Sequence, residues 1–270
     1  MNITKKNRPI GVFDSGIGGL TVLKEIIKEL PAESTIYLGD TARVPYGIRS
    51  PETVIRYSFE NTRFLSTKDI KLLVVACNTA SSVSLDAIKS RTSVPVIGVI
   101  EPGAKAAVKA TRNKKIGVIG TEATVKSSSY TKAIRAIDGD VEVFGLACPL
   151  FVPLVEEGWT EGTIATMIAE KYLCDIKGKG IDTVVLGCTH YPLLKKVIND
   201  VVKGVELIDS AIETSREIKT ILEALDLKNE EKGVQSREFY VTDSPERFLK
   251  VGEQFLGQKI EHIEKIVLGG

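Results

Sequence analysis

Apolar residues follow two rhythms along the chain. Short, almost unbroken runs rich in Val, Ile and Leu occupy residues 10–13, 35–38, 72–75, 94–99, 116–119, 141–144, 183–186, 205–208 and 238–242. Runs this short, with no polar alternation, predict strands covered on both faces. Between them the apolar spacing widens to three and four. Residues 18–30 bring Leu20, Leu23, Ile26, Ile27 and Leu30 to one side, which predicts an amphipathic helix. Ser50-Pro51 reads as a capping serine followed by proline in the first helical position, and Pro192 and Pro245 predict the same device. Strand and helix alternating at this spacing predict βαβ units. The fold class is therefore α/β, with mostly parallel sheets flanked by helices. Residues 227–237, LKNEEKGVQSR, predict a polar surface connection.

The pattern also repeats. IGVFDSG, starting at Ile10, matches IGVIGTE, starting at Ile116. A strand at 72–75 runs into Cys77 in LLVVACNTASS, and a strand at 183–186 runs into Cys188 in TVVLGCTHYPLL. The two matches are separated by nearly equal lengths of chain, which predicts two similar α/β halves. Ligands of parallel sheets bind beyond the carboxyl ends of the strands. Both cysteines stand there, at predicted helix starts, where free N–H groups favour a thiolate. A lone cysteine in such a turn is as readily a small packing residue. Two in equivalent turns, each followed by hydroxyl or amide residues, point to chemistry. One thiolate takes a proton from one face of a carbon and the opposite thiol returns one to the other face. That inverts the carbon without a covalent intermediate.

Composition narrows the partners. The chain has 270 residues, 43% hydrophobic and 26% charged, with net charge +1. That is an ordinary globular balance, and it argues against nucleic-acid or membrane partners. The short polar lead before the first strand contains no signal-peptide core, which predicts a cytoplasmic protein. The four cysteines, at 77, 148, 174 and 188, form no CxxC pair, and His190 and His262 complete no zinc spacing, so no metal is expected. DSGIGG lacks the third glycine of a dinucleotide fingerprint, since Thr21 stands there. Asp40 is read as ordering its own loop, Cys148 and Cys174 as packing residues, and His262 as a surface residue.

Five stretches in order, VFDSGIGGLTVL, YLGDTARVPYG, VVACNTAS, LFVPLVEEG and VVLGCTHYPLL, resemble the glutamate racemases of the cofactor-independent aspartate/glutamate racemase family. The resemblance runs from about residue 10 to about residue 215. It implies two similar domains with the active site between them, one discontinuous (1–98 and 208–270) and one inserted (99–207). It implies interconversion of L- and D-glutamate without a cofactor, supply of D-glutamate for peptidoglycan, and a homodimer. Cys77 and Cys188 carry over as the acid/base pair, with Asp14 assisting Cys77 and His190 assisting Cys188. Glu156 carries over as a further acidic residue, with Glu157 adjacent and not distinguished from it. Asp14 and Ser15 would meet the substrate ammonium. Tyr46, Gly47, Asn78, Thr79, Thr189 and His190 would bind carboxylates, joined by Thr121 and Thr124 from the second half. Family members that need a cell-wall precursor as activator carry extra sequence ahead of the first strand, so none is expected here. Three rivals stay open: a racemase of another amino acid, a cysteine amidohydrolase using Cys188 with His190, and a non-catalytic two-lobed amino-acid binder.

Overall fold

The computed structural model describes residues 5–231 and 235–269. The first run of elements is β1 (Ile10–Asp14), α1 (Leu20–Glu29), β2 (Thr35–Gly39), α2 (Pro51–Ser66), β3 (Leu72–Val75), α3 (Asn78–Lys89), β4 (Val96–Gly98) and α4 (Ile100–Ala110). The second is β5 (Lys115–Gly120), α5 (Glu122–Ser127), α6 (Ser129–Ile137), β6 (Glu142–Ala147), α7 (Phe151–Glu156), α8 (Thr163–Gly178), β7 (Thr183–Gly187), α9 (Lys195–Val201) and β8 (Glu206–Asp209). The chain closes with α10 (Ser210–Ala224), β9 (Arg237–Val241), α11 (Pro245–Leu256) and β10 (Glu264–Lys265).

Two sheets result, in the orders β10-β9-β2-β1-β3-β4 and β6-β5-β7-β8, and every ladder is parallel. The repeat is visible in this topology, because β2-β1-β3-β4 and β6-β5-β7-β8 share one winding. The register agrees as well. Ile10 faces Leu72 and Ile116 faces Thr183, so each cysteine turn lies beside its own first-strand turn.

The unbroken apolar runs feed two faces at once, since successive strand residues point to opposite sides. Ile10, Val12, Leu72 and Val74 enter a core that continues through α1 and α10 to Val184 and Leu186 of the second sheet. Phe13, Leu73 and Val75 enter a separate core on the other face of the first sheet. Ile116, Val118 and Val185 do the same on the second sheet, under α4 and α6.

Departures from the sequence reading have local causes. Ser50 caps α2 by accepting from Thr53 N, with Pro51 first in the helix, as expected. Pro245 also begins α11, but Ser244 is left-handed and makes no cap bond. Pro192 sits in a short 3-10 turn, Tyr191–Leu194, after an uncapping His190. β6 is an edge strand, half exposed, and runs on to Ala147 through positions that carry no unbroken apolar run. β10 is two exposed residues and has no apolar signature at all. The connection at 227–237 is not wholly at the surface. Asn229 is buried and donates to Ala32 O, and its backbone N–H donates to Glu33; residues 232–234 lie outside the described residues. Among the described residues no helix is long and apolar enough to cross a membrane.

Candidate active site between the two sheets

The carboxyl ends of β1, β3, β5 and β7 converge on one cavity of about 160 Å³. That is below the roughly 300–1,000 Å³ of sites for drug-sized ligands, and suits a small metabolite. Ser15, Gly16, Tyr46, Gly47, Cys77, Asn78, Thr79, Thr121, Glu156, Cys188, Thr189 and His190 all line it, from both halves. Apolar walls come from Val44, Ile48, Pro149, Val152 and Pro153. A larger open cleft of about 1080 Å³ lies elsewhere, around Lys5, Arg8 and Glu231. It contains neither cysteine turn.

The two cysteine turns differ. Cys77 caps α3, its Sγ accepting from Ala80 N at 3.5 Å and lying 3.6 Å from Ser15 Oγ. Cys188 caps no helix; its Sγ lies 3.8 Å from His190 Nδ1, ahead of the 3-10 turn. The expectation that a helix start favours a thiolate fails at Cys77. Burial pushes its thiol up to about 12, the Asp14 charge adds to this, and the Ala80 N–H offsets them only in part.

Asp14 is buried at the end of β1, behind the cavity wall rather than in it. Gly16 N donates to its Oδ2 at 2.9 Å, while Oδ1 has no hydrogen-bond partner among the described residues. Burial raises its carboxyl above the usual range, against the pull of the His190 charge and nearby N–H groups.

His190 joins two partners. Its Nε2 is 3.2 Å from Glu156 Oε1, on the opposite side of the ring from Cys188. Burial lowers the imidazole, but hydrogen bonds to Cys188 and Glu156 outweigh it and raise His190 to about 10. The same bond holds Glu156 below the usual carboxylate range, against burial. Glu157 does not line the cavity; its side chain is mostly exposed and lies 3.9 Å from Arg247 Nη2, whereas Glu156 lines it.

The expected carboxylate donors are present with two qualifications. Asn78 Oδ1 accepts from Tyr130 OH at 2.8 Å, leaving Nδ2 buried and without a partner among the described residues. The Tyr46 hydroxyl donates to Asp40 and accepts from Asn61 at 3.1 Å, so it faces away from any ligand. What Tyr46-Gly47 can offer the cavity is backbone. Asp40 also accepts from Arg43 and Thr242, and thus orders its loop as expected.

Contacts across the halves are close. Thr79 Oγ1 lies 3.0 Å from Thr121 Oγ1 and 3.3 Å from Thr124 Oγ1. Thr21 donates to Thr189 O at 2.8 Å. Gly18 exists at this seam because a Cβ there would lie 2.3 Å from Thr189 Oγ1. The sequence reading missed Phe255, stacked edge-on against His190, and Arg247, paired with Glu156. Both lie on α11, beyond the recognisable stretches, and nothing local marks them.

The family model for Asp/Glu/hydantoin racemases matches residues 10–217. A glutamate racemase of Geobacter metallireducens is 55% identical over 262 residues, 97% of each chain. A solved glutamate racemase of Bacillus anthracis, isoform RacE1, is 42% identical with TM-score 0.93, covering 97% of this chain and 98% of that one. Another, from Francisella tularensis in complex with D-glutamate, is 39% identical with TM-score 0.91 and the same coverage. On this match of model, sequence and fold, the chain belongs to the Asp/Glu/hydantoin racemase family.

Proposed function

We propose that this chain interconverts L- and D-glutamate by passing protons to and from opposite faces of the α carbon through Cys77 and Cys188. The observation that carries the reading is the single small cavity with both cysteines in its wall, each at the end of an equivalent strand. Glutamate as the substrate is supported by the relatives named above.

From L-glutamate, the Cys188 thiolate takes the α-proton and becomes a thiol. The Cys77 thiol gives its proton to the opposite face and becomes a thiolate. From D-glutamate the roles reverse. The high position of the Cys77 thiol suits it to act as the acid from L-glutamate. His190, kept cationic by Glu156, steadies charge on Cys188. Asp14 lies beside Cys77 and assists its proton exchange. Ser15 meets the ammonium, while Thr79, Thr121, Thr189, the Asn78 amide and the Tyr46-Gly47 backbone supply donors that oppose the negative charge building beside the α-carboxylate. The chemistry needs no cofactor, because the two thiols balance the proton transfer between them. We extend the proposal to a cytoplasmic homodimer supplying D-glutamate for peptidoglycan. We divide the chain into one discontinuous and one inserted domain, with the second crossing drawn after Asp209, the last paired residue of β8.

The line Cys188–His190–Glu156 also favours a second reading, a thiol nucleophile with an oriented imidazole. It leaves Cys77 without a task. One experiment separates the two. In heavy water, L-glutamate stopped early should yield D-glutamate carrying deuterium at the α carbon, while recovered L-glutamate keeps protium. Cys77→Ser or Cys188→Ser should cripple both directions. Ammonia released from glutamine, or deuterium in recovered L-glutamate at the level found in product, would overturn the two-thiol reading.

A further inference from the structure

α11 packs against α1 at the far end of the chain from the cysteine turns, and lies outside the residues matched by the family model. Two of its side chains nevertheless reach the His190 end of the cavity. Phe255, buried, meets the imidazole edge-on with ring centroids 5.3 Å apart and planes at 85°. Arg247 Nη2 lies 3.4 Å from Glu156 Oε2, and 3.9 Å from Glu157 Oε1. The other Glu156 oxygen, Oε1, lies 3.2 Å from His190 Nε2. Arg247, Glu156, His190 and Cys188 therefore form a chain of contacts in which Glu156 and His190 each have a partner on both sides.

We propose that Arg247 is a positioning residue for the Cys188 half of the reaction, fixing Glu156 so that its inner oxygen faces His190. The inference rests on the two-thiol reading and extends it to a residue from the closing helix of the chain. A carboxylate anchored through one oxygen keeps the other oxygen's direction. Released from Arg247, Glu156 can turn toward solvent, since its side chain is 25% exposed. His190 then loses its outer partner for part of the time, and charge on Cys188 is less well matched. The Arg247 side chain is 58% exposed, so solvent screens the pair and its effect is modest.

The test uses the full-length enzyme and the variants Arg247→Gln and Arg247→Lys. Enantiomers have equal free energy in water, so kcat/KM must fall equally in both directions, and a rate alone cannot locate the defect. Isotope effects can. If proton transfer at Cys188 is slowed, removal of the α-proton from L-glutamate becomes more limiting and removal from D-glutamate less so. Arg247→Gln should lower kcat/KM about three- to tenfold. Its isotope effect should rise with α-deuterated L-glutamate and fall with α-deuterated D-glutamate. Arg247→Lys should restore most of the rate and the wild-type isotope pattern. Raising ionic strength should slow the wild type toward Arg247→Gln while affecting that variant less. An Arg247→Gln enzyme with unchanged kcat/KM, or a slower one with wild-type isotope effects, overturns the positioning role. Wild-type protein that does not racemise glutamate, or a Cys188→Ser variant that keeps its rate, overturns the two-thiol reading itself and is recognised before Arg247 is examined.

Discussion

His190 is the residue on which the chemistry of the second half turns. Its imidazole is raised from an ordinary value near 6.5 to about 10 because Cys188 and Glu156 together outweigh its burial. The folded state therefore favours imidazolium. That contribution is fully present below about pH 6.5 and is lost as pH rises toward 10. Glu156→Gln removes one of the two partners, so the imidazolium deprotonates at lower pH. The alkaline limb of the kcat/KM profile should move to lower pH by about one unit, and the rate at its plateau should drop about ten- to a hundredfold, as expected for a weakened acid–base group. A pH–rate series on wild type and Glu156→Gln reads this directly, and an unmoved alkaline limb would count against a charged His190. Cys77 gives a second prediction at this scale. Its thiol sits near 12 and is almost fully buried, whereas Cys174 is exposed. Alkylation near neutral pH followed by peptide mapping should label Cys174 first and Cys77 far more slowly, with the Cys77 rate still climbing above pH 10. Early labelling of Cys77 would show that its thiolate forms without substrate. The resemblance named these residues, but neither shift was legible in the sequence. The helix-start rule pointed to a lowered thiol, and burial beside Asp14, which only the fold creates, reversed the sign.

At the scale of elements, the positions of the strands and of both cysteine turns were legible because they depend on local pattern. An unbroken apolar run that serves two cores is visible in the chain itself, and the run at 183–186 became β7 for that reason. What depends on distant partners was not legible. β10 has no apolar residues to announce it, and Arg247 looks like any charged residue on a helix until α11 docks beside Glu156. Gly18 lies between these cases. DSGIGG was set aside as a dinucleotide fingerprint because Thr21 replaces its third glycine, and the structure adds that Thr189 and His190 close directly over Gly18. Gly18→Ala would force the turn after β1 away from the Cys188 turn at that seam. Displacement of about 1 Å in a reacting geometry can cost a hundredfold, so kcat/KM should fall about that far. Stability should drop by about 1–3 kcal/mol, as for other overpacked sites. Gly139→Ala is the control, since the nearest atom to its Cβ is 4.0 Å away and the residue is exposed. Racemisation assays with urea melts on both variants check this; a Gly18→Ala enzyme as active as Gly139→Ala would mean the halves close elsewhere.

For the whole molecule, the far end of the first sheet matters as much as the cavity. Glu33 precedes β2 and Lys71 precedes β3, at the amino ends of the strands and therefore opposite the site. Their side chains pair at 2.5 Å with only 1% of each exposed. Lys71 Nζ also donates to Leu227 O at 2.8 Å and to Lys6 O, and Glu33 Oε1 accepts from Asn229 N at 2.8 Å. The pair thus ties the start of the chain, the first sheet and the segment returning from α10 to β9 into one floor. Burying two charges costs several kcal/mol of desolvation, which their attraction and these backbone bonds offset. Removing one partner strands the other. Lys71→Met should therefore destabilise by about 3–5 kcal/mol in urea unfolding, whereas Glu33→Leu combined with Lys71→Met should recover much of that loss. Because the floor lies opposite the cavity, activity per folded molecule should stay near the wild-type value in both variants when measured well below the unfolding transition. A Lys71→Met protein losing less than about 1 kcal/mol would show that water reaches the site and relieves the charge. Lost activity in the fully folded variant would show instead that the floor transmits its strain through β1 and β3 to Asp14 and Cys77.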